Sequence, residues 1–212
     1  MKPRLKIYSF LKTAAIFMAV MFCFQTDLYA ADSDLIQISS LDPSITKEIK
    51  YATEDNFMKE VLYDFDDCVL RRGTAQKLVN ANRMLQKSGY KIKVFDCYRP
   101  LAVQRKMYAR YPLKGFVADP ARGSNHNRGA AVDCTIVKLS GEAVEMPSEY
   151  DEFSERSYHN YPAQEPMKTH RKILRDAMVQ SGFTTISKEW WHYDDSDIAA
   201  YSLEEYFPEE FR

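Results

Sequence analysis

An aspartate stands inside an apolar, β-branched run. Residues 130–139 read AAVDCTIVKL, with Asp133 between Val132 and Cys134. Such a run suits a buried strand. A carboxylate in that setting is costly unless a cation or hydrogen-bond donors meet it. The chain must therefore fold so that a sheet carries Asp133 up to charged or polar partners. Just upstream lies a polar loop bounded by two glycines, residues 123–129 (GSNHNRG). It holds His126, seven residues before Asp133. Gly129 between them gives the backbone freedom to turn both side chains toward one point.

The remaining elements follow from periodicity and punctuation. Thr74 is placed to cap a helix over 74–87, with Leu78, Ala81 and Leu85 on one side and Ser88-Gly89 at its end. Residues 44–56 suggest a short helix or turn followed by an extended piece. Residues 90–98 (YKIKVFDCY) alternate like a strand, and Pro100 fits the first turn of a helix over 101–111. Residues 147–166 are irregular, charged and aromatic, long enough to suggest a binding lid. A helix over 167–180 stops at Gly182, and strands are expected over 183–186 and 189–193 (EWWHY). Strands and helices segregate without a βαβ rhythm. The expected class is α+β, with a mainly antiparallel central sheet and flanking helices.

The first thirty residues stand apart. Lys2, Arg4, Lys6 and Lys12 precede an apolar stretch over 13–24 (TAAIFMAVMFCF), about a dozen residues where a membrane span needs roughly 20. Residues 1–30 read as a signal peptide cleaved near Ala30, the alternative being an uncleaved N-terminal anchor. Export to the periplasm or beyond follows, leaving residues 31–212 as one domain with no membrane span. Of the four cysteines, Cys68, Cys97 and Cys134 remain, so at most one internal disulfide forms, with its pairing open. The formal net charge of −1 lacks the basic excess that nucleic acid would call for. The sequence carries no signal of oligomeric state.

Only four histidines are present, which shortens the list of metal ligands. A zinc hydrolase keeps three protein ligands and one open position. Singly, His126 reads as a solvated loop residue and His192 as a packed one. His170, at helical spacing from Met167 and Leu174, reads as packing, and His159 as a solvated loop residue. Together, His126, Asp133 and His192 make a ligand set of two imidazoles and one carboxylate, with Glu189 three residues before the last.

Five ordered stretches give that set a context. They are Ser124-x-His126-x-x-Gly129-x-Ala131-x-Asp133; Glu189-Trp190-Trp191-His192-Tyr193; Tyr51-Ala52-Thr53 with Asp55-Asn56-Phe57; Asp96-x-Tyr98-Arg99-Pro100; and Met146-Pro147 through Tyr150-Asp151 to Glu155-Arg156-Ser157. Over 51–193 the chain resembles the zinc D-alanyl-D-alanine dipeptidases, including those of vancomycin resistance. The resemblance implies one zinc ion per chain on His126, Asp133 and His192. It also implies Glu189 as general base, Arg99 as stabiliser of the transition state, and Tyr51, Ser124 and Asp151 around a small D,D-dipeptide. The implied fold is the one shared with D,D-carboxypeptidases and the hedgehog domain. Two rivals stand beside it: a carboxypeptidase or endopeptidase acting on wall peptides, and a non-catalytic zinc-binding module.

One backbone expectation follows. Residues three apart in a regular strand face opposite ways, yet Glu189 and His192 must reach one site. A bulge, strand end or sharp twist is expected between them, with Trp190 in the core and Trp191 flanking the cleft.

Overall fold

The computed structural model describes residues 34–112, 116–205 and 207–211. The expected signal peptide lies outside them. Among the described residues, seven strands and three α-helices follow in order: β1 (Leu35–Gln37), β2 (Thr46–Lys47), β3 (Val69–Arg71), α1 (Arg72–Gln86), β4 (Tyr90–Asp96), α2 (Leu101–Arg110), β5 (Ala131–Lys138), α3 (Met167–Gln180), β6 (Phe183–Thr185) and β7 (His192–Asp195). The architecture is α+β. The central sheet runs β2-β4-β5-β7-β6 and is mixed: β2 pairs parallel with β4, the other neighbours antiparallel. The parallel edge arises in the 44–56 stretch, where the strand comes first and a 3-10 turn, Lys50–Ala52, follows. β1 and β3 form a separate antiparallel pair.

β5 sits at the sheet's centre because both neighbours cover it; seven of its eight residues are buried. Alternation along it sends Val132, Cys134 and Ile136 to one side and Asp133 to the other. Tyr193, opposite Val132 in β7, lies toward α3, near Arg171 and Arg175. The apolar side of the sheet thus packs on α1 and α3, and the side bearing Asp133 and His192 is left for the cleft. Leu78, Leu85, Ile92 and Leu174 are fully buried there, and each such side chain contributes about 1.5–3 kcal/mol through burial.

Thr74 does not cap α1. The helix begins two residues earlier, with no side-chain cap, and the Thr74 hydroxyl instead donates to Asp195 Oδ2 at 2.5 Å. Lys77 pairs with the same carboxylate, which ties α1 to β7. Asn82 also works from α1: its amide donates to Asp42 and Ser44, and its carbonyl accepts from the Ile92 backbone, each at 2.9 Å. Gly89, at φ +86°, turns the chain from α1 into β4 as expected.

The cysteine question resolves to a Cys68–Cys97 disulfide, with Cys134 a buried free thiol. His170 packs edge-on to Tyr90 at 5.9 Å, and its Nδ1 donates to the Glu145 carbonyl at 2.9 Å. His159 is not a solvated loop residue. It packs edge-on against Tyr193, neither ring nitrogen has a hydrogen-bond partner among the described residues, and burial lowers its pKa to about 4.

Candidate active site

The His126 loop is built by capping. Residues Asn125–Arg128 form a 3-10 turn. The Ser124 hydroxyl accepts from the His126 backbone at 3.3 Å, and the Asn127 side chain accepts from the Ser124 backbone at 2.6 Å. Gly129 ends the turn at φ +66°, a conformation other residues rarely adopt, and a Cβ there would also press on the Arg71 backbone nitrogen at 3.3 Å, so the position favours glycine. The next residues enter β5 and bring Asp133 opposite His192.

The Glu189–His192 expectation is met by a strand end. β7 starts at His192, not at 189. Residues 189–191 form a turn, closed by the His192 N–H donating to the Glu189 carbonyl at 3.4 Å and held by the Trp190 N–H donating to Ser157 at 2.8 Å. The β-prone tryptophans reflect burial rather than ladder pairing. Trp191 does not flank the cleft. Both tryptophans are about 2% exposed or less, and Trp191 lies one layer back, its ring against Tyr150. Glu189 Oε2 comes to 4.0 Å from His192 Nδ1.

Three donor atoms meet: His126 Nε2, Asp133 Oδ1 and His192 Nδ1, with separations of 3.1, 3.3 and 2.9 Å. All three residues are buried and offer their atoms to one point. The outer nitrogens explain the orientation. His126 Nδ1 donates to the Cys97 carbonyl at 2.7 Å, and His192 Nε2 to Asp194 Oδ1 at 2.9 Å. In neutral imidazoles the inner nitrogens then carry lone pairs, aimed at each other and at a carboxylate oxygen. That arrangement is repulsive unless a cation lies among them. A tetrahedral ion with bonds of about 2.0–2.1 Å spaces its ligand atoms roughly 3.3–3.4 Å apart, so the donor set fits one.

The charges agree. Burial opposes ionisation of Asp133, but His126 and His192 hold its pKa well below the usual carboxylate range. Burial likewise opposes a charged His192, and Asp133 with Asp194 outweighs it, a second sign that positive charge belongs here. Glu189 goes the other way: burial, with Asp133 adding, raises it to about 7. Asp151 is pushed well above its ordinary value by burial first and then by Asp133, with Glu189 adding.

A β-bulge in β4 aligns the opposite wall. The register with β5 shifts at Phe95, so Asp96 comes opposite Asp133. Asp96 accepts from Arg99 Nε and Nη2 at 3.0 and 2.7 Å and from the Tyr63 hydroxyl at 2.8 Å. Gln104 accepts from Arg99 Nη1 at 2.8 Å. The guanidinium is thereby fixed 4.0 Å from Asp133 Oδ2 and over the Tyr51 ring.

These residues line one half-open cleft of about 620 Å³, which holds Tyr51, Arg99, Ser124, His126, Asp133, Asp151, Glu189, His192 and Asp194. All eight site residues expected from the sequence therefore come together. The irregular 147–166 segment contributes Asp151 and Phe153 to the wall. Asp151 stands at φ +57°, unusual for a non-glycine residue, and accepts from the Tyr51 hydroxyl at 2.8 Å. Asp194, Gln104 and Tyr63 were not singled out from the sequence. Asp194 was legible, since residues two apart on a strand share a face. Gln104 and Tyr63 gave no such signal, and Tyr150 stood in a quoted stretch without a role.

The comparisons with known proteins point the same way. A peptidase family model described as D-ala-D-ala dipeptidase matches residues 31–210. The D-alanyl-D-alanine dipeptidase of Escherichia coli (strain K12) is 32% identical, the match covering 81% of this chain and 89% of that protein. The D-alanyl-D-alanine dipeptidase of Enterococcus faecium is 34% identical, covering 69% and 83%, and that of Enterococcus faecalis is 32% identical with the same coverage. The three inward donors, the adjacent buried Glu189 and this match over nearly all of 31–212 have one reading: the chain belongs to the D-ala-D-ala dipeptidase family of peptidases.

Proposed function

We propose that the protein hydrolyses the D-Ala-D-Ala dipeptide to two D-alanines, with zinc held by His126, Asp133 and His192. The observation that carries the reading is the convergence of three possible ligand atoms, His126 Nε2, Asp133 Oδ1 and His192 Nδ1, with Glu189 Oε2 4.0 Å from the last. Zinc held there supplies Lewis acidity toward the scissile carbonyl and an acidified water. Glu189, whose carboxylate lies 4.0 Å from His192 Nδ1, takes the proton from water and returns it to the leaving amine. Arg99, locked by Asp96 and Gln104, presents fixed positive charge where the oxyanion develops. Asp151 pairs with the substrate ammonium, a cation that would favour the charged form its burial opposes. Ser124, in the same cleft, receives the carboxylate end.

Export accompanies this reading. Residues 1–30 act as a signal peptide, and the mature domain works outside the cytoplasm in turnover of wall peptides or in glycopeptide resistance. The Cys68–Cys97 disulfide supports it, since such bonds persist in oxidising compartments. Among the described residues no helix is long and apolar enough to cross a membrane.

The test is turnover of purified mature protein on D-Ala-D-Ala against a pentapeptide ending in D-Ala-D-Ala, before and after chelation and zinc repletion. Dipeptide cleavage that zinc restores, with the pentapeptide cut poorly, is the expected result. Equal cleavage of both hands the site to the carboxypeptidase or endopeptidase reading. Zinc binding without turnover leaves a binding module.

A further inference from the structure

Each of the three inward donors is steered by a partner behind it. For His126 the partner is the Cys97 carbonyl and for His192 it is Asp194. For Asp133 it is a phenol: the Tyr150 hydroxyl donates to Asp133 Oδ2 at 2.9 Å, while Oδ1 faces the imidazoles. We propose that Tyr150 is a positioning residue of the metal centre, whose hydroxyl holds Asp133 to one-oxygen ligation and keeps Arg99 off that carboxylate. The inference rests on the zinc reading given above.

The ring is placed for the task. It sits edge-on to Trp191 at 5.5 Å and tilted against Phe95 at 4.9 Å and Tyr51 at 6.3 Å. Phe95 is the bulge residue of β4 and Trp191 lies in the turn before β7, so the elements that deliver Asp96 and His192 also fix the phenol. Without the hydroxyl, Asp133 Oδ2 would have Arg99 Nη2 as its neighbour at 4.0 Å. The carboxylate would then have two ways to relax. It could turn its second oxygen inward, or it could draw Arg99 away from Asp96. Either change spoils an arrangement in which Arg99 carries its charge toward substrate rather than toward a metal ligand. The hydroxyl also lies 3.4 Å from that of Tyr51, which donates to Asp151. The amine-binding wall and the metal wall are therefore adjacent through two phenols.

Tyr150→Phe tests this, because it keeps the ring and removes one oxygen. Zinc dissociation constants are measured by competition with a chromophoric chelator, the visible spectrum of the cobalt(II)-loaded protein is recorded, and thermal midpoints are taken in chelator. We expect zinc binding weakened about tenfold or more, in the range seen when outer partners of metal ligands are removed. The cobalt bands should also change, kcat should fall with KM nearly constant, and the metal-free midpoint should match the wild type. An unchanged zinc constant and an unchanged cobalt spectrum would overturn the assignment and leave Tyr150 as packing. A rise in KM alone would also overturn it, placing the hydroxyl's role at Asp151. A wild-type chain that binds no zinc would remove the metal reading itself, an outcome separate from these.

Discussion

The Cys68–Cys97 bond should be the largest single covalent contribution to stability in this domain. It joins the residue just before β3 to the residue just after β4, across a sequence separation of 29. Closing a loop of that length removes roughly 12 cal/mol/K from the unfolded chain, or about 3.6 kcal/mol at 25 °C. For a domain of this size each kcal/mol moves the melting midpoint by about 2–4 °C, so the Cys68→Ala/Cys97→Ala protein should melt about 7–14 °C lower. Local geometry gives the loss a second readout. The Cys97 carbonyl holds His126 Nδ1, and the neighbouring Tyr98 N–H donates to the Val69 carbonyl at 2.9 Å. These hydrogen bonds survive removal of the sulfurs, so zinc stoichiometry should remain one. The assay is a calorimetric scan of both proteins, with and without a dithiol reductant. Reductant should lower the wild-type midpoint toward that of the double variant and leave the variant unmoved. A double variant melting within about 3 °C of the wild type would refute the loop-entropy argument.

The other expectations concern single side chains. Glu189→Gln should keep zinc, measured by elemental analysis, while turnover falls about 10²–10⁴-fold, the usual contribution of a positioned acid–base group. Asp151→Asn should raise KM for D-Ala-D-Ala more than it lowers kcat, since it removes a contact made equally by substrate and transition state. His159 should make the fold acid-sensitive. Its pKa is near 4 folded against about 6.5 unfolded, so the unfolded state binds more protons between those values and stability falls as pH drops through that window. From pH 8 to pH 5 the loss is at most about 2 kcal/mol, and His159→Phe should remove that part of the pH dependence of the melting midpoint.

Much of this site was legible because its chemistry is expensive to hide. A carboxylate between Val132 and Cys134 must have partners, and with four histidines in the chain the list of candidates was short. Gly129 announced a tight turn, and the structure uses it at positive φ. The three-residue spacing of Glu189 and His192 required a break in the strand, and β7 begins at His192. The same stretch misled on Trp191, whose aromatic surface satisfied the core instead of the cleft. Thr74 misled for a related reason: its hydroxyl finds a buried carboxylate 121 residues away, a partner no local pattern reveals.

Which groups carry charge, where the chain turns, and that Asp133 must be met by a cation or hydrogen-bond donors can all be read from the residues alone. Those are properties of short segments, set by side-chain chemistry and backbone freedom. Tertiary structure decided which cysteines pair, that a bulge at Phe95 brings Asp96 opposite Asp133, and that Tyr150 reaches the outer oxygen of Asp133. It also decided that one edge of the sheet is parallel. Each of these depends on register between segments distant in sequence. A shift of one residue in a strand pairing exchanges the two faces of the sheet, and only packing of the whole domain selects one register over the other.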